Sequence, residues 1–138
     1  METKRPKVGT GVIVIKDNKV LLGKRKDSGE WCFPGGHLEF KEDVIDCGIR
    51  ETLEETGIKI KNVKVCTFTN DNNHHLDIHY ITIFMLAEHD SGEPQVTEPD
   101  KIGNWQWFSW NKLPEPLFLP IKNLLKTGFD PFNNLDLK

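Results

Sequence analysis

The sequence predicts an α+β domain built on a mixed β-sheet. Short runs rich in β-branched and other apolar residues recur between turn signals, which is typical of strands. These runs bracket one long helical stretch, and a second, shorter stretch follows near the end of the chain. A chain of 138 residues is about the size of one ordinary domain, so we expect a single domain over residues 1–138.

Five strands are predicted from the apolar runs. Asp17 and Asn18 supply a turn between the first two, which therefore form a hairpin. The polar residues 70–75 separate the third strand from the fourth. In the last strand, Trp105 and Trp107 share one face, and core packing is the favoured interpretation over base stacking. The predicted strands cover residues 8–15, 20–22, 63–68, 78–86 and 105–110.

The central helix is predicted over residues 41–56, with suitable residues at both ends. Glu42 and Asp43 are expected in its first turn, where exposed N–H groups favour negative charge. Gly57 follows the last helical residue, as expected of a C-terminal cap. A short final helix is predicted over residues 121–126.

The overall charge argues against a polyanionic partner. The chain carries 18 basic and 21 acidic side chains, for a net charge of −3. General affinity for nucleic acid or for an anionic membrane needs a dominant basic field, so neither partner is expected. A single small anion could still bind through a few local cations or a metal ion.

The cysteines and the N-terminal segment predict a cytoplasmic protein. Cys32, Cys47 and Cys66 form no close pair and no metal-binding spacing, as expected of reduced thiols. The longest apolar run near the start, residues 12–15, is far too short for a signal peptide or a membrane span.

Three glutamates in the central helix are the first candidates for chemistry. Glu51, Glu54 and Glu55 are spaced i, i+3 and i+4, so they span an arc of roughly 100° on one helix face. The plain interpretation is a solvated acidic face beside Arg50. However, the helix follows a Pro-Gly-Gly turn, residues 34–36, whose backbone can approach a ligand closely. Oxygen ligands without Cys or His favour Mg²⁺ or Mn²⁺ over zinc.

A longer motif surrounds these glutamates. It runs from Gly36 to Ile58 and resembles the signature of the Nudix hydrolases, G-x5-E-x7-R-E-U-x-E-E-x-G-U, in which U is aliphatic. Thr52 at the first U position is its one departure. The resemblance implies the Nudix fold, an α/β/α sandwich with a mixed sheet and a loop-helix catalytic motif. All of the fixed positions match, namely Gly36, Glu42, Arg50, Glu51, Glu54, Glu55 and Gly57.

The resemblance also implies roles in a site for Mg²⁺, or Mn²⁺ as a substitute. Glu51 and Glu55 would be the principal ligands, and Glu54 would serve a second ion or activate water. The backbone carbonyl of Gly36 would complete the site. Which glutamate acts as general base varies within the family and stays open.

Two further residues of the motif have supporting roles by the same resemblance. Arg50 would hold a glutamate in place through a charge-assisted hydrogen bond. Glu42 would organise the loop and the helix, in agreement with its position about half a turn from Glu51.

The resemblance extends along nearly the whole chain to MutT-like nucleoside triphosphate diphosphatases. Members of this subgroup release a nucleoside monophosphate and pyrophosphate, often from oxidised guanine nucleotides such as 8-oxo-dGTP. They often form homodimers, and a plant member is linked to a terpenoid diphosphate. The resemblance therefore implies Mg²⁺-dependent hydrolysis of modified nucleotides, with sanitation of the nucleotide pool as the leading role. The similar segments are residues 22–26, 33–40, 105–107, 113–120 and 128–132.

Candidate substrate residues follow from these segments, each with an alternative. Lys24 and Arg25 would reach substrate phosphates, or they are an ordinary basic strand end. His37 resembles a nucleotide-contacting histidine, or it is a polar turn residue. Phe118 and Leu119 resemble residues that line a base pocket, or they anchor the last helix in the core.

Glu98 is a candidate for an additional metal ligand. It lies in the loop before the tryptophan-rich strand, where relatives supply such a ligand. An exposed loop glutamate is the alternative.

Other functions remain open at the level of the sequence. ADP-ribose hydrolases of the family commonly carry a proline after the motif, and residues 59–86 contain none. Tyr80 comes late for the tyrosine of diadenosine polyphosphate hydrolases. A catalytically silent sensor domain usually lacks one or more of the motif glutamates, which are all present here. RNA decapping would be expected to come with a basic surface.

Overall fold

The described part of the chain is built on a six-stranded mixed β-sheet. The structure is a computed structural model and describes residues 3–133. The strand order is β3-β2-β1-β5-β4, and β6 pairs with β2. In chain order the elements are β1 (Lys7–Lys16), β2 (Lys19–Arg25), β3 (Trp31–Cys32), α1 (Val44–Thr56), β4 (Lys59–Asn73), β5 (Ile78–Ser91), β6 (Ile102–Ser109), a 3₁₀ turn (Trp110–Lys112) and α2 (Leu119–Lys126).

The pairing of β1 makes the sheet mixed. β1 runs parallel to β5 from the Lys7–Tyr80 pair to the Ile15–Glu88 pair. It pairs antiparallel with β2 at the hairpin, where Ile15 lies opposite Val20. The β4–β5 and β2–β6 pairs are antiparallel as well.

Both faces of the sheet are covered, so the fold has three layers. Val12, Ile13 and Val14 of β1 are fully buried and point alternately to the two faces. On one face Ile13 packs in a cluster with residues of α2. On the other face Val12 and Val14 pack in a cluster that residues of α1 join. This arrangement confirms the predicted α+β fold with a mixed sheet between helices.

Helix α1 begins later than predicted. Asp43 has an extended backbone and caps the helix, since its carboxylate accepts a hydrogen bond from the Ile45 N–H (3.0 Å). Lys41 has a φ of 66°, which is incompatible with a right-handed helix. Glu42 and Asp43 therefore precede the first turn instead of lying in it. At the other end Gly57 is left-handed (φ 77°), and this prediction is confirmed.

The strand boundaries differ from the prediction mainly at polar residues. Residues 70–73, predicted to separate two strands, belong to β4 because their backbone pairs with β5. The short strand β3 was not predicted. Trp110, expected in the last strand, begins the 3₁₀ turn instead. Trp105 is buried in the core, as predicted.

Helix α2 starts at Leu119, two residues before the predicted start at Ile121. Pro120 lies in its first turn, where the missing N–H of proline has no helical partner to lose. Within residues 3–133 no helix is long and apolar enough to cross a membrane.

Candidate active site

The loop before α1 lies directly on β1. The carbonyl of Pro34 accepts a hydrogen bond from the Val12 N–H (2.7 Å), and that of Gly36 accepts one from the Thr10 N–H (2.8 Å). A side chain at position 35 would overlap the Thr10 carbonyl oxygen, so only glycine permits this close approach. The sequence Pro-Gly-Gly thus fixes the loop against the central strand.

The same loop meets the acidic face of α1. A side chain at position 36 would overlap the Glu51 carboxylate, which therefore lies against the Gly36 backbone. One carboxylate oxygen of Glu55 accepts a hydrogen bond from the Gly35 N–H (3.0 Å). Two of the three predicted glutamate ligands of α1 are thereby brought to one glycine loop.

Burial raises the pKa of both carboxyl groups of this pair. It raises the pKa of Glu55 to about 8, against the opposing effect of the Gly35 hydrogen bond, and the charges of Glu51 and Glu98 add to the rise. Burial also raises the pKa of Glu51, although Arg50 opposes it. A bound cation would stabilise both ionised forms.

Arg50 connects three carboxylates. Its Nε and Nη2 atoms donate to the two oxygens of Glu42 (2.8 and 3.0 Å). Its Nη1 atom donates to Glu51 (2.7 Å) and, at 3.3 Å, to the exposed Glu54. The hydrogen bonds from Arg50 lower the pKa of Glu42 to about 2. Arg50 thus ties the loop that carries Glu42 to the face of α1.

The donor chemistry of the site fits Mg²⁺ or Mn²⁺, but the carboxylates are not gathered around one point. Within residues 3–133 no three Asp, Glu, His or Cys side chains are close enough together to enclose an ion. Glu51 and Glu54 instead accept hydrogen bonds from Arg50. The Gly36 carbonyl already accepts from the Thr10 N–H and, at 3.1 Å, from the Thr10 hydroxyl.

Glu98 lies near this centre from the loop before β6. About 38% of its side chain is exposed, and Lys101 Nζ lies 3.8 Å from its carboxylate. Its charge raises the pKa of both Glu51 and Glu55, so it acts on the same site.

A cavity of about 690 Å³ opens beside the glycine loop. Glu55 and Gly36 form part of its wall. Four of the predicted site residues that were assigned to substrate also line it: Arg25, His37, Phe118 and Leu119. Lys24, Arg50, Glu51, Glu54 and Glu98 are not among its lining residues.

Arg25 and its neighbour Lys24 differ in their position relative to the cavity. Arg25 lines the cavity, and Lys24 does not. The Arg25 guanidinium lies over the Phe118 ring at 4.2 Å and bonds Asp27. Lys24 lies over Trp31 at 6.0 Å, because successive side chains of a strand point to opposite faces. The role predicted for Lys24 toward phosphates stays a prediction.

Other residues complete the cavity wall. His37 Nε2 lies 2.8 Å from the Tyr80 hydroxyl. Phe118 and Leu119 are half-buried and line the cavity, and Phe118 also packs against the core cluster that contains Val12 and Val14. The sequence analysis missed Asp71 and Thr82, which also line the cavity. Only an alternation of buried and exposed side chains along residues 69–73 could have indicated a strand there. The polar composition of this segment concealed that signal.

A first prediction concerns Arg50. We expect Arg50→Lys to lower activity by roughly 10–100-fold, because lysine cannot reproduce the paired hydrogen bonds to Glu42 while also holding Glu51. Steady-state kinetics of the Mg²⁺-supplied enzyme measure the effect. Arg5→Lys, at an exposed position, is the matched control. Equal activity of the two variants would contradict the role of Arg50.

A second prediction concerns the stability of the metal-free protein. The pKa of Glu55 is about 8 in the folded state and near its ordinary value of 4.5 in the unfolded state. Its contribution to stability is therefore fully present below pH 4.5 and is lost as the pH rises through about 8. We expect the melting temperature of Glu55→Gln in EDTA to gain several degrees relative to the wild type over this range. A constant difference between the two proteins from pH 5 to pH 8.5 would disprove it.

Comparison with known proteins identifies the family of the chain. Residues 5–127 match the NUDIX domain family. The chain is 35% identical over 107 residues to the uncharacterized Nudix hydrolase YvcI of Bacillus subtilis, covering 75% of this chain and 66% of that protein. It is 33% identical over 118 residues to an ADP-ribose pyrophosphatase of Methanocaldococcus jannaschii, covering 82% of this chain and 68% of the relative.

A solved structure shows the same architecture. The MutT NUDIX hydrolase of Burkholderia pseudomallei is 32% identical, with a TM-score of 0.83 over 89% of this chain and 98% of that one. The chain spans only 22% to 38% of the length of some other relatives it matches. The match over residues 5–127 shows that the chain belongs to the Nudix hydrolase family.

Proposed function

We propose that this protein is a Mg²⁺-dependent nucleoside triphosphate diphosphatase that acts on modified nucleotides. The observation that carries the proposal is a single cavity that is lined both by residues of the Nudix motif and by predicted substrate residues. Its wall contains the half-buried Glu55 carboxyl and Gly36 together with Arg25 and the Phe118 ring. A triphosphate could therefore lie beside the acidic face while its base contacts aromatic side chains.

The proposed metal ligands are Glu51 and Glu55, with Glu54, the Gly36 carbonyl and Glu98 as further oxygen donors. A divalent cation bound there would neutralise diphosphate oxygens and lower the pKa of the attacking water. Arg50 would hold the glutamates in position, and Glu54, whose side chain is 52% exposed, is the proposed candidate for activating water.

The proposed reaction breaks the bond that joins the α- and β-phosphoryl groups. Water adds its oxygen to one phosphorus, and the bridging oxygen leaves with the other phosphoryl group. The products are a nucleoside monophosphate and pyrophosphate. Arg25 and His37 are proposed to contact the substrate, since both line the cavity.

ADP-ribose is the second candidate substrate. The Methanocaldococcus relative is named an ADP-ribose pyrophosphatase, and its match covers most of this chain. Hydrolysis of ADP-ribose would use the same glutamates but would release no pyrophosphate. A cytoplasmic location and a homodimer stay predictions from the sequence.

The test is a panel of substrates with and without Mg²⁺. It contains ordinary and oxidised deoxynucleoside triphosphates, ADP-ribose, a diadenosine polyphosphate, a prenyl diphosphate and a short capped RNA. Mg²⁺-dependent release of pyrophosphate from triphosphates is the expected result. If only another member of the panel is hydrolysed, the proposed hydrolysis of a diphosphate bond is retained and the proposed substrate is wrong. Ligand binding without any turnover would favour a sensor domain.

A further inference from the structure

Asp71 is a buried carboxylate in the wall of the substrate cavity. It lies near the end of β4, and its exposed fraction is only 3%. It lines the same cavity as Glu55 and Gly36, but it belongs to neither the Nudix motif nor the acidic face of α1. Burying a carboxylate is costly unless donors satisfy it, so its partners show what it can still bind.

Three internal donors hold Asp71. One carboxylate oxygen, Oδ2, accepts from the Thr82 hydroxyl (2.5 Å) and from the Thr69 hydroxyl (3.2 Å). The other oxygen, Oδ1, accepts from the Asn123 amide (2.9 Å) on α2. Across residues 3–133 no lysine, arginine or histidine forms an ion pair with it.

One acceptor position of Asp71 is left over. A carboxylate offers about four lone-pair positions, and the three donors occupy three of them. The remaining position belongs to Oδ1, since Oδ2 already accepts twice. The carboxylate is also fixed in orientation, because its partners come from both β-strands and from α2. A fixed acceptor in a cavity wall selects ligands that carry a matching N–H group.

We propose that Asp71 is the specificity residue that accepts a hydrogen bond from an N–H group on the base of the substrate. This deepens the proposed function and rests on it. The Phe84 and Tyr80 rings line the same cavity and would contact the flat faces of a base. The hydrocarbon chain of a prenyl diphosphate carries no donor, so it would cover the free acceptor position without satisfying it. Asp71 therefore favours a nucleotide over a prenyl diphosphate.

The test uses matched nucleotide pairs that differ in the N–H hydrogens of one nitrogen of the base. They are dGMP with 1-methyl-dGMP, dAMP with N6,N6-dimethyl-dAMP, and dTMP with 3-methyl-dTMP. Equilibrium binding of monophosphates needs no turnover, so it reports base recognition alone. We expect the wild type to prefer the N–H member of at least one pair by tenfold or more, as befits a hydrogen bond to a charged acceptor.

The Asp71→Asn variant distinguishes the loss of a hydrogen bond from the steric effect of the methyl group on binding. The amide has the same shape, so the steric effect of the methyl persists. With its oxygen held by the two threonine hydroxyls, the amide nitrogen replaces Oδ1, and the acceptor becomes a donor. We expect the preference of the protein for the N–H member of that pair to fall at least tenfold in this variant. Asp90→Asn, at an exposed position of β5, should leave it unchanged.

A second variant guards against simple misfolding. Asp71→Asn/Asn123→Asp keeps an amide–carboxylate pair at the same place but moves the carboxylate to α2, and it too should lose the preference. If the wild type hydrolyses triphosphates but binds both members of every pair equally, the inference about Asp71 is overturned alone. If the wild type neither binds nor hydrolyses nucleotides, the proposed function is overturned, and the inference about Asp71 falls with it. An unchanged preference in both folded variants would likewise overturn the role of Asp71.

Discussion

Glu55→Gln is expected to lower kcat/KM for the best triphosphate substrate by on the order of a thousandfold. The glutamine keeps the shape of the side chain and can still accept the Gly35 hydrogen bond. It removes the negative charge with which Glu55 would bind a divalent cation beside Glu51. The measurement is pyrophosphate release at saturating Mg²⁺, together with the Mg²⁺ concentration that gives half of the maximal rate.

Glu93→Gln provides the matched control, because this glutamate is exposed and lies outside the site. Its activity and Mg²⁺ requirement should equal those of the wild type. Should Glu55→Gln retain full activity with an unchanged Mg²⁺ requirement, Glu55 would not be a metal ligand. The same pair of measurements on Glu54→Gln tests whether Glu54 also participates.

Gly35→Ala is expected to abolish most activity and to destabilise the fold. A Cβ atom at this position would overlap the Thr10 carbonyl oxygen, which belongs to the backbone of the central strand and cannot swing aside. The loop would have to leave β1, and Glu55 would lose the Gly35 N–H as its donor. We expect a loss of at least a hundredfold in kcat and a lower melting temperature.

Gly9→Ala is the control for the glycine substitution. Gly9 lines the same cavity, yet a Cβ atom there would meet Tyr80 at 3.6 Å, an ordinary contact. This variant should fold normally and keep its activity within a few-fold of the wild type. Similar losses in both variants would show that the cavity tolerates no added methyl group, and would remove the special role of the Gly35 approach to β1.

Helix α1 was predictable because its signals are local. The spacing of Glu51, Glu54 and Glu55 places them on one face of any regular helix. Gly57 ends the helix through its own left-handed backbone. The start was missed because Lys41 takes a positive φ and Asp43 caps the helix, and both depend on how the preceding loop folds back.

The cavity wall was not predictable from local signals. Asp71 lies in a polar run that resembles a loop, but its backbone pairs with Tyr80 of β5. Backbone pairing overrides side-chain preference at such positions. The meeting of Asp71 with Thr82 and Asn123 joins residues that are 11 and 52 positions apart in the chain, which no pattern in the sequence encodes.

The hydrogen bonds between the glycine loop and β1 give the active site a built-in reporter. The Thr10 and Val12 amide protons are bound by loop carbonyls, and β1 lies in the interior of the sheet. Deuterium can replace these two protons only when the loop lifts from the strand or the whole sheet opens. Their exchange rates, compared with those of amides in the β1–β5 ladder, would time the opening of the loop in the intact protein. A ligand that clamps the loop would slow these two amides while leaving the ladder as it was.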